Sequence, residues 1–505
     1  MNISQFLARN ARKFPNKLAY IDGSNSLTYS EVDNIVNRLA SSLSRLHIQP
    51  NDKVVLYLPN GLEFVYAYFS VLRLGAIVVP INTRLAKEEV KYILEHSDAK
   101  AIIAHHTLSQ QLNPLINELD LFWIHTGSNS PPWISLETLI NDGSPHLIEC
   151  NRHDDDDASI LYTSGTTGKS KGVLFTHRNI LTVANMMVIE TNMNKDSRLL
   201  HMMPLSHCAP LHLFFIGGLY VGATHVLASQ FTPKDFLHLI QLHKITHFFG
   251  APVAYLLTAK QSDIDEYDLS SVKYWLYGGA PLSTQEVQFV QQKFKSDRFM
   301  CLYGLTEAGP NGIYLSPEEH RDKAGSIGKH AALHCEAKIV NEKGEEVKVD
   351  EIGEIVLAGE GTMKGYYKDP VKTAETIRNG WLYTGDLARK DKDGYIWIVD
   401  RKKDMIISGG VNIYPKEIED VLKTHPSISD VAIIGVPHPD WGETAKAFVV
   451  TNEHIPNLEE ECKRFLEGKV ADYKIPRLFE TIDELPRNAS GKILKQLLRQ
   501  KEVKA

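Results

Sequence analysis

Residues 162–173 read YTSGTTGKSKGV, and the reading of this stretch decides the fold around it. Gly168-Lys169-Ser170 matches the close of the phosphate-binding motif G-x-x-x-x-G-K-[ST], but Thr163 stands where that motif has its first glycine. In that motif the Lys-Ser pair opens a helix whose first amides and dipole meet the phosphates. Here Lys171 is followed by GVLFTH, an apolar and β-branched run that predicts a strand. The helical pattern begins only after Thr176, in HRNILTVANMMVIE, with Ile180, Leu181, Ala184 and Val188 on one face. The stretch therefore predicts strand (SILYT), loop, strand and then helix, which removes the main support for a P-loop NTPase.

The loop is chemically pointed all the same. It gathers the hydroxyls of Thr163, Ser164, Thr166 and Thr167, the glycines Gly165, Gly168 and Gly172, and the ammonium groups of Lys169 and Lys171. Glycines let successive backbone amides form an anion-binding nest, and hydroxyls and ammonium groups add donors. A polar hairpin with no ligand is the plain alternative.

Working outward, KVVLYL, GLEFVYAYFSVLRLG, AIVVPI, KEEVKYILEHS and AKAIIAHH alternate strand-like and helical patterns. Such alternation predicts βαβ units on a parallel sheet covered by helices. The rhythm returns in THVLAS, FTPKDFLHLIQLHK, THFFGAP and VKYWLYGGAP, so a second α/β layer is expected. From about residue 325 short strands with turns (EAKIVNEKGEEVKV, GEIVLAG, GYIWIVD) predict a small antiparallel barrel or sheet. After DRKKDMIISGG the pattern is compact α+β. PKEIEDVLKTHP starts a helix at Pro415 with Ile418, Val421 and Leu422 apolar, and strands DVAIIGV and AKAFVV and the helix EEECKRFLEGKV follow. The predicted class is α/β: a large N-terminal domain of stacked α/β sheets with a small β-barrel-like subdomain over residues 1–402, and a small α+β C-terminal domain over 403–505.

Composition narrows the function. A chain of 505 residues exceeds a single core. The formal net charge of −7 gives no basic field for nucleic acid, so a small-molecule enzyme is expected. The five cysteines, Cys150, Cys208, Cys301, Cys335 and Cys462, show no C-x-x-C spacing and so predict neither a disulfide framework nor a structural zinc site. Reduced thiols and the lack of an apolar leader in MNISQFLARNARKFPNK point to a cytoplasmic protein. The most apolar stretches are broken by Arg73, His225 and glycines, which predicts buried elements and no membrane span. Peripheral membrane contact and a homodimer are both compatible with the sequence as a whole. The acidic run at 154–157 reads as a solvated approach to the next strand.

SGTTGKSKGV resembles the signature loop of the acyl-adenylate-forming superfamily, which includes acyl-CoA synthetases. Further signatures stand in that superfamily's order: YGGAPL (277–282), YGLTE (303–307), YTGD (383–386), DRKKDMIISGGVNIYP (400–415) and PRNASGKI (486–493). The resemblance covers essentially the whole chain. It implies ATP, Mg²⁺ and coenzyme A as partners of a small carboxylic acid in two half-reactions. A carboxylate attacks the α-phosphorus of ATP and expels pyrophosphate, and then the thiol of coenzyme A displaces AMP. Both steps gather negative charge, so positioning and electrostatics should dominate.

The resemblance also implies roles. Residues 163–171 would hold the β- and γ-phosphates; Thr306 would meet the α-phosphate and Glu307 the Mg²⁺, a hard ion suited to carboxylate and phosphate oxygens. Tyr303 would stack on adenine, with Gly279 and Ala280 along its edge, and Ile398 falls among the nucleotide-binding positions. Asp386 would accept the ribose hydroxyls, as a two-oxygen carboxylate can, and Arg401 would add a contact; otherwise Asp386 caps a turn and Arg401 pairs with Asp400 or Asp404. Lys492 would bridge the substrate carboxylate and the α-phosphate. Lys403 matches the hinge about which a mobile C-terminal domain rotates, bringing Ser408, Gly409 and Gly410 to the pantetheine arm.

The acid pocket is expected from residues 185–189, 204–212, 248–252, 277–279 and 303–309, with His207 and Gly309 at the carboxylate end. Apart from Glu307, which the resemblance gives to Mg²⁺, no acidic residue is evident there to hold an α-ammonium group, so amino acids are disfavoured. A fatty acid fits the apolar lining; an aryl acid such as o-succinylbenzoate or a benzoate is the alternative.

Overall fold

The computed structural model describes residues 2–146, 152–163, 170–280, 282–487 and 493–504. Contacts divide the chain into two compact units, residues 1–337 with 357–382, and residues 338–356 with 383–505. This partition gives residues 338–356 and 383–402 to the smaller unit.

The larger unit is built on two sheets. The first runs His330–Ala331, Ile313–Leu315, Phe299–Tyr303, Tyr274–Gly278, His247–Gly250, Arg198–His201, Thr224–Leu227, Leu18–Asp22 and Asn25–Thr28. Its six central strands, from Phe299–Tyr303 to Leu18–Asp22, pair parallel. The second runs Gly365–Tyr366, Lys171–Thr176, Asp157–Thr163, Ile77–Pro80, Lys53–Tyr57, Ala99–Ala104, Phe122–His125 and Ile134–Ser135. From Asp157–Thr163 onward it is parallel, and the expected alternation with helices Leu62–Arg73 and Lys87–His96 is present. Strands buried on both faces explain the unbroken apolar runs in the sequence.

The described ends of the stretch that opened the sequence reading lie on two neighbouring strands of this second sheet, next to its edge strand Gly365–Tyr366. Asp157–Thr163 and Lys171–Thr176 pair antiparallel, with Thr163 opposite Lys171. The helix His177–Glu190 starts after Thr176, whose hydroxyl accepts from Asn179 N and caps it. No helix follows Lys169-Ser170, so the P-loop geometry is absent among the described residues.

Two charges inside apolar runs have local explanations. Arg73 is buried, and its guanidinium meets Asp33 Oδ1 at 2.7 Å and Ser4 Oγ at 3.1 Å, with Asn37 Oδ1 alongside. Burial of an arginine is tolerated only with such pairing. His225 is buried and shares a 2.9 Å hydrogen bond with His201. The acidic run pairs with basic side chains, Asp155 with Arg178 and Asp157 with Lys364, both at 2.7 Å.

The short strands expected after residue 325 are Cys335–Val340, Ile352–Gly359, Ile377–Arg378, Trp381–Lys390 and Ile396–Arg401, which form a five-stranded sheet. In the smaller unit a further sheet runs Val411–Ile413, Ile406–Ser408, Gly442–Thr451 and Ile428–His438, with Leu478–Thr481 parallel to Gly442–Thr451. Alternation splits its side chains between two cores. Val431 and Ile433 pack with Ile418, Leu422, Cys462 and Leu466 of helices Pro415–Leu422 and Leu458–Leu466. Ala432 and Ile434 pack with Phe448 and Leu498, the latter from helix Lys495–Lys504. Among the described residues no helix is long and apolar enough to cross a membrane.

Candidate active site

Most of the described site residues predicted in the larger unit lie at or just beyond the C-terminal ends of parallel strands, where open α/β sheets bind ligands. Tyr303 ends Phe299–Tyr303, Gly279 and Ala280 follow Tyr274–Gly278 and are exposed, and His207 follows Arg198–His201. After Tyr303 the chain makes a single 3₁₀ turn, Thr306–Ala308, and reverses at Gly309 with φ +91°. A Cβ at Gly309 would stand 2.2 Å from the Gly361 carbonyl oxygen and 3.1 Å from Val183 Cγ1, so both conformation and space demand glycine.

Glu307 is the centre of a small polar array. The Tyr366 hydroxyl donates to Glu307 Oε1 at 2.8 Å, and Met363 N donates to the Glu307 carbonyl at 2.8 Å. Tyr366 is buried, and burial together with the Glu307 charge raises its phenol above the ordinary tyrosine range, which keeps it a donor. Its ring lies under Lys171 Nζ at 5.3 Å. Its backbone is the edge strand Gly365–Tyr366, paired with Leu174 and Val173, and Tyr367 N donates to Gly172 O at 2.7 Å. One tyrosine therefore ties the 3₁₀ turn of one sheet to the foot of the hairpin in the other.

The hairpin feet are fixed by aromatic side chains as well. His96 Nδ1 and the Tyr162 hydroxyl are 2.8 Å apart, and the Tyr92 hydroxyl donates to Ser170 O at 3.1 Å. Tyr92, His96 and Ser170 line, with Lys171, Tyr366 and Tyr367, a cavity of about 130 Å³. Thr163 and Lys171 are thus placed. Ser164, Gly165, Thr166, Thr167, Gly168 and Lys169 lie outside the described residues, as does Lys492.

On the other side of the turn the Cys208 thiol lies 4.0 Å from Thr306 O and 3.5 Å from His212 Nδ1. Both side chains are buried. Burial pushes the thiol up, with the Glu307 charge adding to it, and pushes His212 down to about 3, so both are neutral. His207 Nε2 is 3.3 Å from Asn82 Nδ2. The amide nitrogen is the donor in that contact, which assigns Nε2 the lone pair, and burial keeps the imidazole below the ordinary histidine range.

In the smaller unit Asp386 is buried opposite Arg401, and Arg401 Nε meets Asp386 Oδ1 at 2.7 Å. The alternative partners for Arg401 are engaged elsewhere: Asp400 accepts from Arg401 N and Lys416 N, and Asp404 pairs with Arg499 at 2.7 Å. Ile398 stands opposite Ala388 on the same strand pair. Partial burial lowers the Lys403 ammonium from the ordinary lysine range, against the pull of Asp404. Ser408 pairs with Val411 across a two-residue turn in which Gly409 and Gly410 have φ +58° and +80°, the conformation of a tight hairpin that glycine adopts without strain.

The residue chemistry fits a hard divalent cation. Glu307 Oε1 is held by Tyr366, and among the described residues Oε2 takes part in no hydrogen bond or ion pair. Those residues hold no group of three or more His, Cys, Asp or Glu side chains that would cage a metal. A single carboxylate such as Glu307 suits an ion completed by substrate phosphates and water. The ion would neutralise phosphate charge there.

Sequence reasoning missed Tyr366 and Asn82, while Cys208 lies in the segment 204–212 that it assigned to the acid pocket. For Tyr366 the signal was KGYYKDP, a short strand before Asp369, which caps the helix Pro370–Thr376.

Residues 7–367 match the AMP-binding enzyme family and residues 417–492 match the AMP-binding enzyme C-terminal domain. The chain is 35% identical over 502 residues to a feruloyl-CoA synthase of Amycolatopsis sp, covering 98% of this chain and 97% of the relative. It is 32% identical over 516 residues to the long-chain-fatty-acid–CoA ligase FadD13 of Mycobacterium tuberculosis, covering 99% and 98%. The o-succinylbenzoate CoA synthetase MenE of Bacillus subtilis, solved in complex with the acyl-adenylate intermediate OSB-AMP, superposes with a TM-score of 0.87 at 30% identity, over 98% of this chain and 97% of that one. The chain belongs to the AMP-binding enzyme family of the acyl-adenylate-forming superfamily, as an AMP-forming acyl-CoA ligase. Its substrates are ATP, coenzyme A and a carboxylic acid, with Mg²⁺ as the accompanying ion.

Proposed function

We propose that the acid is a fatty acid, activated to an acyl-adenylate with release of pyrophosphate and then passed to coenzyme A. The observation that carries this reading is the composition of two segments expected around the acid: residues 204–212 and 248–252 contain no carboxylate, and their Leu205, Leu211 and Phe249 are buried. An α-ammonium or a second charged group on the substrate would lie there unpaired, at a large desolvation cost. An aryl acid is the second reading, favoured by the higher identity to the feruloyl-CoA synthase.

In this reading residues 163–171 hold the departing pyrophosphate, Glu307 the Mg²⁺ and Thr306 the α-phosphate. Tyr303, Gly279 and Ala280 frame adenine, with Ile398 against the nucleotide, and His207 and Gly309 face the carboxylate end. Asp386 takes the ribose hydroxyls, an exchange that trades its bond with Arg401 for two neutral ones. Lys492 bridges the reacting oxygens during adenylation. Residues 403–505 then turn about Lys403 to exchange Lys492 for the Ser408-Gly409-Gly410 turn beside coenzyme A.

The test is AMP release with ATP, Mg²⁺ and coenzyme A across saturated acids from short to long chains, set beside benzoates and hydroxycinnamates. A kcat/KM maximum among the saturated acids is expected. A maximum among the aryl acids would replace the first reading with the second.

A further inference from the structure

The residues KGYYKDP (364–370) have no part in the roles above, yet they meet the metal carboxylate directly. Tyr366 donates to Glu307 Oε1 at 2.8 Å while its ring supports Lys171 at 5.3 Å. The side chain is 9% exposed, and its backbone is fixed on both sides. Tyr366 N donates to Thr373 Oγ1 at 2.9 Å, and that hydroxyl donates in turn to Asp369 O at 2.8 Å. Gly365 pairs with Leu174 and Tyr366 with Val173 in the hairpin strand. The phenol is therefore held rigidly at one oxygen of Glu307, and the other oxygen keeps its lone pairs.

We infer that Tyr366 is a positioning residue for the metal: it orients the Glu307 carboxylate so that Oε2 faces the cation, and it couples that orientation to the Lys171 end of the phosphate hairpin. The inference rests on reading Glu307 as the Mg²⁺ ligand. A carboxylate on a single 3₁₀ turn has free χ angles, and one buried donor selects among its rotamers before the ion arrives. Hydrogen bonds to metal-binding side chains commonly set metal affinity within 10–100-fold.

Tyr366→Phe removes only the hydroxyl and retains the ring under Lys171. The Mg²⁺ concentration giving half-maximal pyrophosphate release should rise about tenfold, with an unchanged thermal midpoint and an unchanged KM for the acid. Outside turnover, Mn²⁺ titrated into the enzyme with a non-hydrolysable ATP analogue and followed by electron paramagnetic resonance should bind more weakly by the same factor. Glu307→Gln should weaken Mn²⁺ more, and Tyr366→Phe should add nothing in that background. Additive losses, or full Mn²⁺ affinity in Tyr366→Phe beside a weakened Glu307→Gln, would overturn the positioning role while sparing the metal role of Glu307. Unaltered Mn²⁺ binding in Glu307→Gln would remove the metal reading, and the inference with it.

Discussion

In the larger unit His177, His201, His212, His225 and His247 are buried and held neutral, whereas in the smaller unit the side chains around the helices meet as charged pairs. Burial sets His177, His201 and His212 at about 3 and His247 at about 4, and drives His225 well below the ordinary value. In the smaller unit Lys495 pairs with Glu419 at 2.7 Å, Arg499 with Asp404 at 2.7 Å and Lys474 with Glu417 at 2.8 Å. A dry core fixes the strand ends that carry Tyr303, Thr306 and Glu307. Pairs at partly exposed positions bind less tightly and respond to salt. The contrast suits a fixed platform in the larger unit and, in the smaller one, residues 403–505 that are proposed to turn.

Acid should separate the two most sharply. Each of these five histidines has its folded pKa below the unfolded 6.5, so its contribution to stability is complete above pH 6.5 and is lost as pH falls through the folded value, about 3 for His177, His201 and His212 and about 4 for His247. Within that window each contributes a slope of about 1.4 kcal/mol per pH unit. Calorimetry near pH 5 should find that unfolding of the larger unit takes up close to one proton per buried histidine, and His212→Asn should remove one. A pH-independent unfolding enthalpy and midpoint between pH 7 and 5 would contradict the neutral assignment.

The next effect concerns turning. Lys403→Pro restricts φ at the proposed pivot and should slow thioester formation from supplied acyl-adenylate by about tenfold or more while leaving pyrophosphate release within about twofold. If both half-reactions slow equally in stopped-flow assays, the pivot lies elsewhere. The smallest effect is expected at the ion pairs. Arg499→Ala should cost about 1 kcal/mol of stability in the smaller unit, and the difference from wild type should shrink in high salt. Chemical denaturation at low and high ionic strength reads this directly, and a salt-independent difference would mean that packing of the arginine stem, not its charge, is what was lost.

How much of this was legible in the sequence depended on the range of the interaction. The hairpin strands were readable because the run after Lys171 is apolar with β-branched Val173 and Thr176, and the Thr176 cap is local. The alternation of strands and helices was readable because hydrophobic period is a local property. The single bond between Tyr366 and Glu307 was not, since its partners are 59 residues apart and the tyrosine lies on a two-residue strand with no periodicity to read. Arg401 shows the same limit: its near neighbours Asp400 and Asp404 were the obvious partners, but strand register sets Asp386 opposite it. Arg73 broke an apolar run in the sequence, yet it is buried because Asp33 and Asn37, a helix away, complete its bonding.

The most direct test of the proposed chemistry is to separate the two half-reactions in Lys492→Ala. Acid-dependent pyrophosphate release should fall by about 10²–10³-fold, the loss expected for one charge-stabilising donor. Thioester formation from supplied acyl-adenylate and coenzyme A should stay within about twofold of wild type. Equal loss of both half-reactions, or pyrophosphate release at the wild-type rate, would contradict the assignment of Lys492 to adenylation.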